Sequence, residues 1–270
     1  MQLKNSIKSI AIGSFDGIHI GHQALIEQVE AVVIIERNRG TLTSGFRRTN
    51  HLKQSCFFYF FEHIKCLSAE AFIARLKKDF PQLEKIVVGY DFAFGYKKEG
   101  NSQLLKDLFE GEVVVVDEVK NRAISIHSRT IKDYLSEGNL FLVKALLGRN
   151  FTVYGKVIKG QGLGRRELVP TLNLKIYDFH LPKSGVYASR TKIGKIWLDS
   201  VTFLGHRVTT DGLFAIESYI LDRDIGLLSG FVEIEFIWFI RENKKFKTLE
   251  ALKKQIQEDI KEVKASLKLN

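Results

Sequence analysis

A chain of 270 residues, 45% hydrophobic and 27% charged, is long enough for two compact domains and has an ordinary globular composition. It contains no run of about 18 apolar residues and starts without the apolar segment of an export signal, so we expect neither membrane association nor secretion. The net charge of +10 comes from scattered basic pairs, which disfavours a nucleic-acid partner and leaves anionic nucleotides open as ligands. Two cysteines without a CxxC pair or histidine cluster indicate a cytoplasmic protein without a metal–thiolate site.

Strands and helices alternate in the first half of the chain. The predicted strands are residues 9–12, 31–35, 85–88 and 112–116, and the predicted helices are residues 20–28, 102–109 and one capped by Ser68. Such alternation predicts a Rossmann-like parallel sheet with helices on both faces. The polar, basic segment 36–54 carries no pattern that places it.

The hydrophobic period changes near Gly148. Two short helices, broken near Gly138, are predicted before it. Beyond it, period-two strands are predicted at residues 151–158, 185–193, 196–203, 214–221 and 231–240. These strands indicate an antiparallel barrel or sandwich, and apolar residues spaced by three and four from Leu249 to Leu267 predict a helix packed outside it. We therefore expect domains at residues 1–148 and 149–270.

The first chemical motif is GSFDGIHIGH, from Gly13 to His22, which follows the first predicted strand and opens the first predicted helix. A helix N-terminus offers free N–H groups and partial positive charge, which suit a phosphate. His19 and His22 are three residues apart and so face the same way, while Gly21 lets a nucleotide approach the backbone. An isolated HxxH pair favours local hydrogen bonding, but this strand–loop–helix context favours nucleotidyl transfer, with both histidines stabilising charge at phosphorus.

This string resembles the HxGH signature of the nucleotidyltransferase superfamily and, as GxFDGxHxGH, the adenylyltransferase module of prokaryotic bifunctional FAD synthetases. VGYDFAFG, from Val88 to Gly95, resembles that family's GxDFxFG segment, and HSRTIK, from His127 to Lys132, stands where the family carries SSTxIR. The resemblance implies catalytic roles for His19, His22 and Lys132. It implies ATP contacts from Gly13, Phe15, Asp16, Gly21, Asp91 and Ser128.

Two departures from the family pattern bear on this site. Only Ser128 and Ile131 agree with the SSTxIR string, and Lys132 keeps the charge of the family's arginine without its bidentate fork. Residues 34–40, IIERNRG, replace an FxPxP-like string. A degenerate N-terminal domain with a regulatory or structural role therefore stays open as an alternative.

The second motif pairs a glycine-rich loop, residues 160–165, with PTLN at residues 170–173. A lone GxGxG string usually marks a flexible hairpin, but Thr171 and Asn173 add neutral oxygens, which suit Mg²⁺ shared with phosphates. Together these strings resemble the riboflavin kinase signature. The resemblance implies Mg²⁺ held by Thr171 and Asn173, and ATP covered by Gly160, Gly162, Gly164 and Arg165.

Resemblance to the kinase continues to the end of the chain. AIESYILD, residues 215–222, resembles the strand that bears the kinase's glutamate, while LGHRVT, residues 204–209, matches an IGxxPT loop in part. Glu217 is either the base that takes the riboflavin 5′-hydroxyl proton or an outward-facing strand residue, and its apolar neighbours favour the base. The match of the closing strand and helix implies a flavin contact from Arg241.

These observations predict an α/β nucleotidyltransferase domain followed by an antiparallel β-barrel riboflavin kinase domain with a C-terminal helix. As the resemblance implies, the barrel phosphorylates riboflavin to FMN, and the first domain joins AMP to FMN to give FAD. Riboflavin, FMN and ATP are the expected partners, and Mg²⁺ the expected cofactor. A tRNA synthetase with a HIGH motif is disfavoured by the chain length and by the missing KMSKS loop.

Overall fold

The computed structural model describes residues 6–37, 41–159, 169–209 and 212–267. The chain divides into two compact units, Met1–Thr130 and Ile131–Asn270. Two helices upstream of Gly148 thus fall largely in the second unit, so the functional boundary at Gly148 stays a prediction. No helix in these described ranges is both long and apolar enough to span a bilayer.

A five-stranded parallel sheet forms the centre of the first unit, in the order β3-β2-β1-β4-β5. Its strands are β1 Ser9–Gly13, β2 Ala31–Glu36, β3 Ser55–Phe60, β4 Lys85–Gly89 and β5 Glu112–Val116. Its helices are α1 Ile20–Ile26, α2 Phe61–Ile64, α3 Ala69–Asp79 and α4 Ser102–Leu108. A hairpin of two-residue strands follows, β6 Lys120–Asn121 and β7 Ile124–Ser125.

Apolar side chains cover both faces of this sheet, as the alternating pattern predicted. Ile10 and Ile12 of β1 pack into one core with Phe72 of α3, whereas Ala11 between them packs into a second core with Leu25 of α1. A strand that buries both faces needs apolar residues at successive positions, which is the pattern that β1, β2 and β4 carry. The predicted Rossmann-like sheet is therefore confirmed.

The segment that the sequence left unplaced is held by two buried carboxylates. It contains a 3₁₀ helix, Gly45–His51, and leads into β3, which pattern analysis missed. Asp16 Oδ1 accepts hydrogen bonds from the N–H groups of Leu42 (2.7 Å) and Thr43 (3.1 Å). Glu36, at the end of β2, forms an ion pair with Arg48, and the side chains are only 5% and 2% exposed.

We expect Arg48→Met to destabilise the protein by about 3–5 kcal/mol, because the Glu36 carboxylate then stays buried without its arginine. Urea unfolding followed by circular dichroism measures the loss. Lys8→Met is the matched control, since Lys8 and Glu84 form an ion pair that is largely exposed to solvent. Equal shifts of the unfolding midpoint in both variants would contradict a structural role for the buried pair.

The second unit is a closed six-stranded antiparallel barrel in the order β10-β11-β12-β9-β8-β13, which decides between the predicted barrel and sandwich. Its strands are β8 Phe151–Ile158, β9 Leu172–Ile176, β10 Gly185–Ile193, β11 Ile196–His206, β12 Phe214–Ile220 and β13 Phe231–Arg241. Its helices are α5 Ser128–Glu137, which starts in the first unit, α6 Leu140–Leu147 and α7 Leu249–Leu267.

Buried hydroxyl groups fill part of the barrel interior and show which faces of β10, β11 and β12 point inward. Ser189 Oγ lies 2.8 Å from both Ser200 Oγ and Thr202 Oγ1, and Thr191 Oγ1 lies 2.8 Å from Ser218 Oγ. All these side chains are fully buried. Side chains on a strand point alternately to its two faces. Because Ser218 points into the barrel, its neighbour Glu217 on β12 points outward.

Helix α7 covers part of the barrel's outer surface, as its apolar spacing predicted. Ile260 and Val263 of α7 pack against Val186, Ala188 and Val201 of β10 and β11. Val186, Ala188 and Val201 therefore meet α7 rather than bulk solvent. The space left between α7 and the strands forms the second candidate site.

Candidate active sites

The loop between β1 and α1 is held in a conformation that ordinary side chains rarely adopt. Phe15 has φ 47° and Ile18 has φ 43°, and a positive φ is a marked outlier for a β-branched residue. Both side chains are buried in the core beneath α1, at 1% and 0% exposure, and this packing holds the loop in place. Backbone strain of this kind is concentrated at functional sites.

The two motif histidines lie together at the start of α1, as their spacing predicted. Their rings stack with centroids 3.5 Å apart, and the edge of Phe15 meets His22 at 5.2 Å. His19 caps α1, because its Nδ1 accepts a hydrogen bond from the N–H of His22 at 3.3 Å. The neutral His19 ring therefore carries its proton on Nε2, where it can act as a donor.

The local packing leaves little room for a side chain at Gly21. A Cβ atom at this position would lie 3.2 Å from His19 Nδ1 and 3.4 Å from the carbonyl oxygen of Ile126. A side chain here would therefore press on the histidine that caps the helix. Local crowding is a second reason for glycine between the two histidines.

A cavity of about 360 Å³ opens at the carboxyl ends of the parallel strands, where open α/β sheets bind ligands. Its lining includes these residues predicted from the sequence: Gly13, Phe15, His19, Gly21, His22, Asp91 and Ser128. Asp16 is instead buried behind the loop, where its side chain holds residues 42–43 and its carbonyl oxygen accepts from Ser128 Oγ at 2.8 Å. Lys132 lies one turn after Ser128 on α5 and falls in the second compact unit.

Three lining residues that pattern analysis did not assign to the site form a polar cluster. His127 Nε2 lies 3.3 Å from Glu118 Oε1 and 3.4 Å from Tyr90 Oη. Hydrogen bonds from Lys120 and Ser125 lower the pKa of Glu118 to about 2, so its carboxylate stays ionised. The signal for His127 is its place directly before Ser128, within a string that already resembled a phosphate site.

The second candidate site lies between the outer face of the barrel and α7. A cavity of about 170 Å³ is lined there by four predicted residues, Thr171, Asn173, Glu217 and Arg241. Strand pairing positions two of them, because Asn173 of β9 stands directly opposite Glu217 of β12. The glycine-rich loop residues predicted to cover ATP lie outside the described residues; they are Gly160, Gly162, Gly164 and Arg165.

The walls of this cavity are largely apolar, and polar groups enter them from several elements. Phe203 and Tyr219 contribute from the barrel, and Ile256 and Ile260 contribute from α7. A mostly apolar cavity with a few convergent polar groups is the usual form of a small-molecule site. Glu217 is thus an outward-facing strand residue, as one interpretation of the sequence had it, yet it faces a cavity.

Two ion pairs organise the polar groups of the cavity. Arg241 at the end of β13 forms a bidentate pair with Asp259 of α7, with Nε–Oδ1 and Nη2–Oδ2 distances of 2.8 and 2.7 Å. Asp259 is buried, so this pair ties α7 to the barrel. Arg207, just after β11, donates from Nη1 to Glu217 Oε1 at 3.2 Å. The sequence assigned no role to Asp259 or Arg207, although Arg207 lies in the LGHRVT string that matches the kinase loop in part.

Comparison with known proteins agrees with this division of the chain. A family model described as riboflavin kinase matches residues 147–267, and one described as FAD synthetase matches residues 2–46 and 44–130. Matches to both models favour two activities over a kinase with a degenerate N-terminal domain.

Relatives align along nearly the whole chain. Bifunctional riboflavin kinase/FMN adenylyltransferase from Buchnera aphidicola subsp. Acyrthosiphon pisum is 31% identical over 95% of this chain and 92% of its own. The enzyme of the same name from Listeria monocytogenes is 29% identical, over 96% and 92%. A solved structure described as a macrolide-efflux protein from Streptococcus pneumoniae has a TM-score of 0.84 and 25% identity, over 96% of this chain and 95% of its own.

The resemblance that the motifs suggested is thereby confirmed at the level of whole chains. The two sites also lie where the two family models match, one in the parallel-sheet unit and one on the barrel. This chain belongs to the bifunctional riboflavin kinase/FMN adenylyltransferase family, and it uses ATP to convert riboflavin to FMN and FMN to FAD.

Proposed function

We propose that the cavity beside α7 is the riboflavin kinase site and that Glu217 is its general base. The supporting observation is the pairing of Asn173 with Glu217 on neighbouring strands, with Thr171 beside them in the same cavity. The carboxylate accepts the proton of the riboflavin 5′-hydroxyl as that oxygen attacks the γ-phosphorus of ATP. The apolar walls take the flavin ring, and Arg241 borders that space from the end of β13.

Thr171 and Asn173 fit a magnesium ion that is shared with phosphates. Their side-chain oxygens are neutral and hard, which suits Mg²⁺ when ATP supplies the remaining ligands. No group of three or more histidine, cysteine or acidic side chains in the described residues could form an all-protein metal site. When bound, Mg²⁺ neutralises charge on the phosphates. We also propose that residues 160–165 cover ATP, as the resemblance implies.

We propose that the cavity at the sheet edge carries out adenylyl transfer. The supporting observation is the stacked pair of His19 and His22 at the N-terminus of α1, inside that cavity. An oxygen of the FMN phosphate attacks the α-phosphorus of ATP, and pyrophosphate leaves. The histidines donate hydrogen bonds to charge that develops at phosphorus, and the Lys132 side chain adds positive charge.

The other predicted nucleotide contacts divide by their positions. Gly13, Gly21, Asp91 and Ser128 border the cavity and contact the nucleotide, while Phe15 supports the His22 ring. Asp16 acts through the loop that it holds.

We place the protein in the cytoplasm, because both of its cysteines, Cys56 and Cys66, are free thiols.

The direct experiment is to incubate the purified protein with riboflavin, ATP and Mg²⁺ and to separate the flavins by chromatography. We expect FMN first and FAD later, and we expect an excess of chelator to stop FMN formation until Mg²⁺ is restored. Supplying FMN directly tests the second activity alone. FMN formation at the full rate in chelator would contradict the magnesium assignment, and absence of FMN under varied ATP, metal and pH would contradict the kinase site.

A further inference from the structure

The base proposed for the kinase lies in contact with an arginine. Arg207 Nη1 lies 3.2 Å from Glu217 Oε1, and the two side chains are 18% and 23% exposed. Both line the cavity that contains Thr171 and Asn173. The backbone of Arg207 is fixed, because its N–H donates to the carbonyl of Leu213 at 2.9 Å and its carbonyl accepts from the N–H of Gly212 at 3.1 Å.

This contact does not suit a working base. A neighbouring guanidinium favours the ionised form of a carboxylate, so a carboxylate in such a pair takes up a proton less readily. Arginine does not lose its own proton in proteins, so its charge persists at every working pH. A phosphate chain entering the same cavity offers the guanidinium a partner with more negative charge and with bidentate geometry.

We propose that Arg207 is a further catalytic residue of the kinase. Once ATP is bound, its guanidinium moves from the Glu217 carboxylate to the γ-phosphoryl group, which neutralises the transferring group and frees the carboxylate to accept a proton. This inference rests on the proposed role of Glu217 in riboflavin phosphorylation. It assigns a role to one residue of the LGHRVT string, residues 204–209, which matches the kinase family's loop in part.

The step balances without any further reactant. The riboflavin 5′-oxygen forms a bond to the γ-phosphorus, and the bond between that phosphorus and the oxygen bridging to the β-phosphorus breaks. The hydroxyl proton passes to Glu217, and ADP leaves with the electrons of the broken bond. Arg207 keeps its proton and its charge throughout.

The second arginine of the cavity is less suited to this role. Arg241 meets the buried Asp259 through two bonds of 2.8 and 2.7 Å, and it packs 5.9 Å from the ring centre of Phe246. Moving Arg241 would leave a carboxylate buried without its partner, which is costly. Arg207 faces the more exposed Glu217 across a longer contact, so breaking this contact costs less than breaking the pair of Arg241 with Asp259.

The test is Arg207→Ala, assayed for both activities, with Arg190→Ala as the matched control. Arg190 forms an ion pair of the same 3.2 Å length with Asp199 on the barrel strands, away from the cavity lining. We expect kcat for FMN formation to fall about 10²–10³-fold in Arg207→Ala, as when one donor to developing charge is removed. KM for riboflavin and FAD formation from supplied FMN should change little, and Arg190→Ala should match the unmodified protein.

Chemical rescue separates catalysis from structure. Guanidinium chloride, below denaturing concentrations, should restore part of the kcat of Arg207→Ala, and Arg207→Lys should retain more activity than alanine because the charge remains. A normal or raised rate of FMN formation in Arg207→Ala would overturn the proposal. So would a loss that guanidinium does not relieve and that is accompanied by an equal loss of FAD formation.

A parallel assay of Glu217→Gln keeps the two possible failures apart. A normal rate in Glu217→Gln would overturn the assignment of the base, and with it the partner exchange inferred for Arg207. A slow Glu217→Gln beside a normal Arg207→Ala would overturn only the role of the arginine. Melting curves by circular dichroism confirm that each variant is folded at the assay temperature.

Discussion

Glu217→Gln is expected to lower the rate of FMN formation by about 10²–10⁴-fold, the usual effect of removing a general base. Glutamine keeps the length and shape of the side chain, and its amide oxygen can still accept a hydrogen bond from Arg207. The amide cannot take up the proton of the riboflavin 5′-hydroxyl. ATP affinity should change little, since Thr171 and Asn173 stay in place.

Initial rates of FMN formation, together with calorimetric titration of ATP, measure the two effects separately. Glu233→Gln is a matched control, because Glu233 also lies on a barrel strand, pairs with Lys192 at 3.0 Å and has 22% exposure against 23% for Glu217. It should phosphorylate riboflavin at the normal rate. Turnover close to normal in Glu217→Gln would show that this glutamate is not the base.

The spacing of hydrophobic residues predicted most of the helices and strands, because the burial of each element sets that spacing in its own sequence. Strands β1, β2 and β4 bury both faces and carry continuous apolar runs, while the barrel strands alternate between the interior and the surface under α7. Strand β9 was not predicted, although its sequence LNLKI alternates in the same way. Its first residues belong to the PTLN motif, which was interpreted as a ligand site and not as a strand. Strand β3 was missed because it lies at the sheet edge after an irregular segment.

The candidate residues were predictable where chemistry and local spacing coincide. His19 and His22 are three positions apart, so the helix that forms around them brings their rings together. Asn173 and Glu217 meet only through the pairing of β9 with β12, and Asp259 meets Arg241 only because α7 folds back on the barrel. Contacts of this range leave no local pattern, and the contact of Arg207, just after β11, with Glu217 of β12 also joins residues from different parts of the barrel.

Asp16 shows how a motif residue can serve a site indirectly. The resemblance implied an ATP contact, but the carboxylate is 7% exposed and holds the backbone of Leu42 and Thr43. This contact ties the loop before α1 to residues that follow the segment 34–40, whose sequence departs from the family pattern. The departure therefore coexists with an intact arrangement of the two histidines.

His22→Ala is expected to reduce FAD formation from supplied FMN by about 10²–10³-fold, because it removes one donor to the charge that develops at phosphorus. FMN formation from riboflavin should stay near normal, since the kinase cavity is built from residues of the barrel unit. Separate assays with riboflavin and with FMN measure the two rates. His63→Ala is the control, because His63 is an exposed histidine on α2 that also contacts an aromatic ring.

Thr171→Ala should produce the opposite pattern, because it removes an oxygen proposed to bind Mg·ATP in the kinase cavity and leaves the parallel-sheet unit unchanged. Thr171→Ser keeps the hydroxyl and should retain most FMN formation. If His22→Ala and Thr171→Ala each lowered both activities equally, with normal circular dichroism, the proposal of two independent sites would be contradicted.

If the unmodified protein made no FAD from supplied FMN, the cause would be sought first at residues 34–40 and Lys132, where the sequence departs from the family pattern.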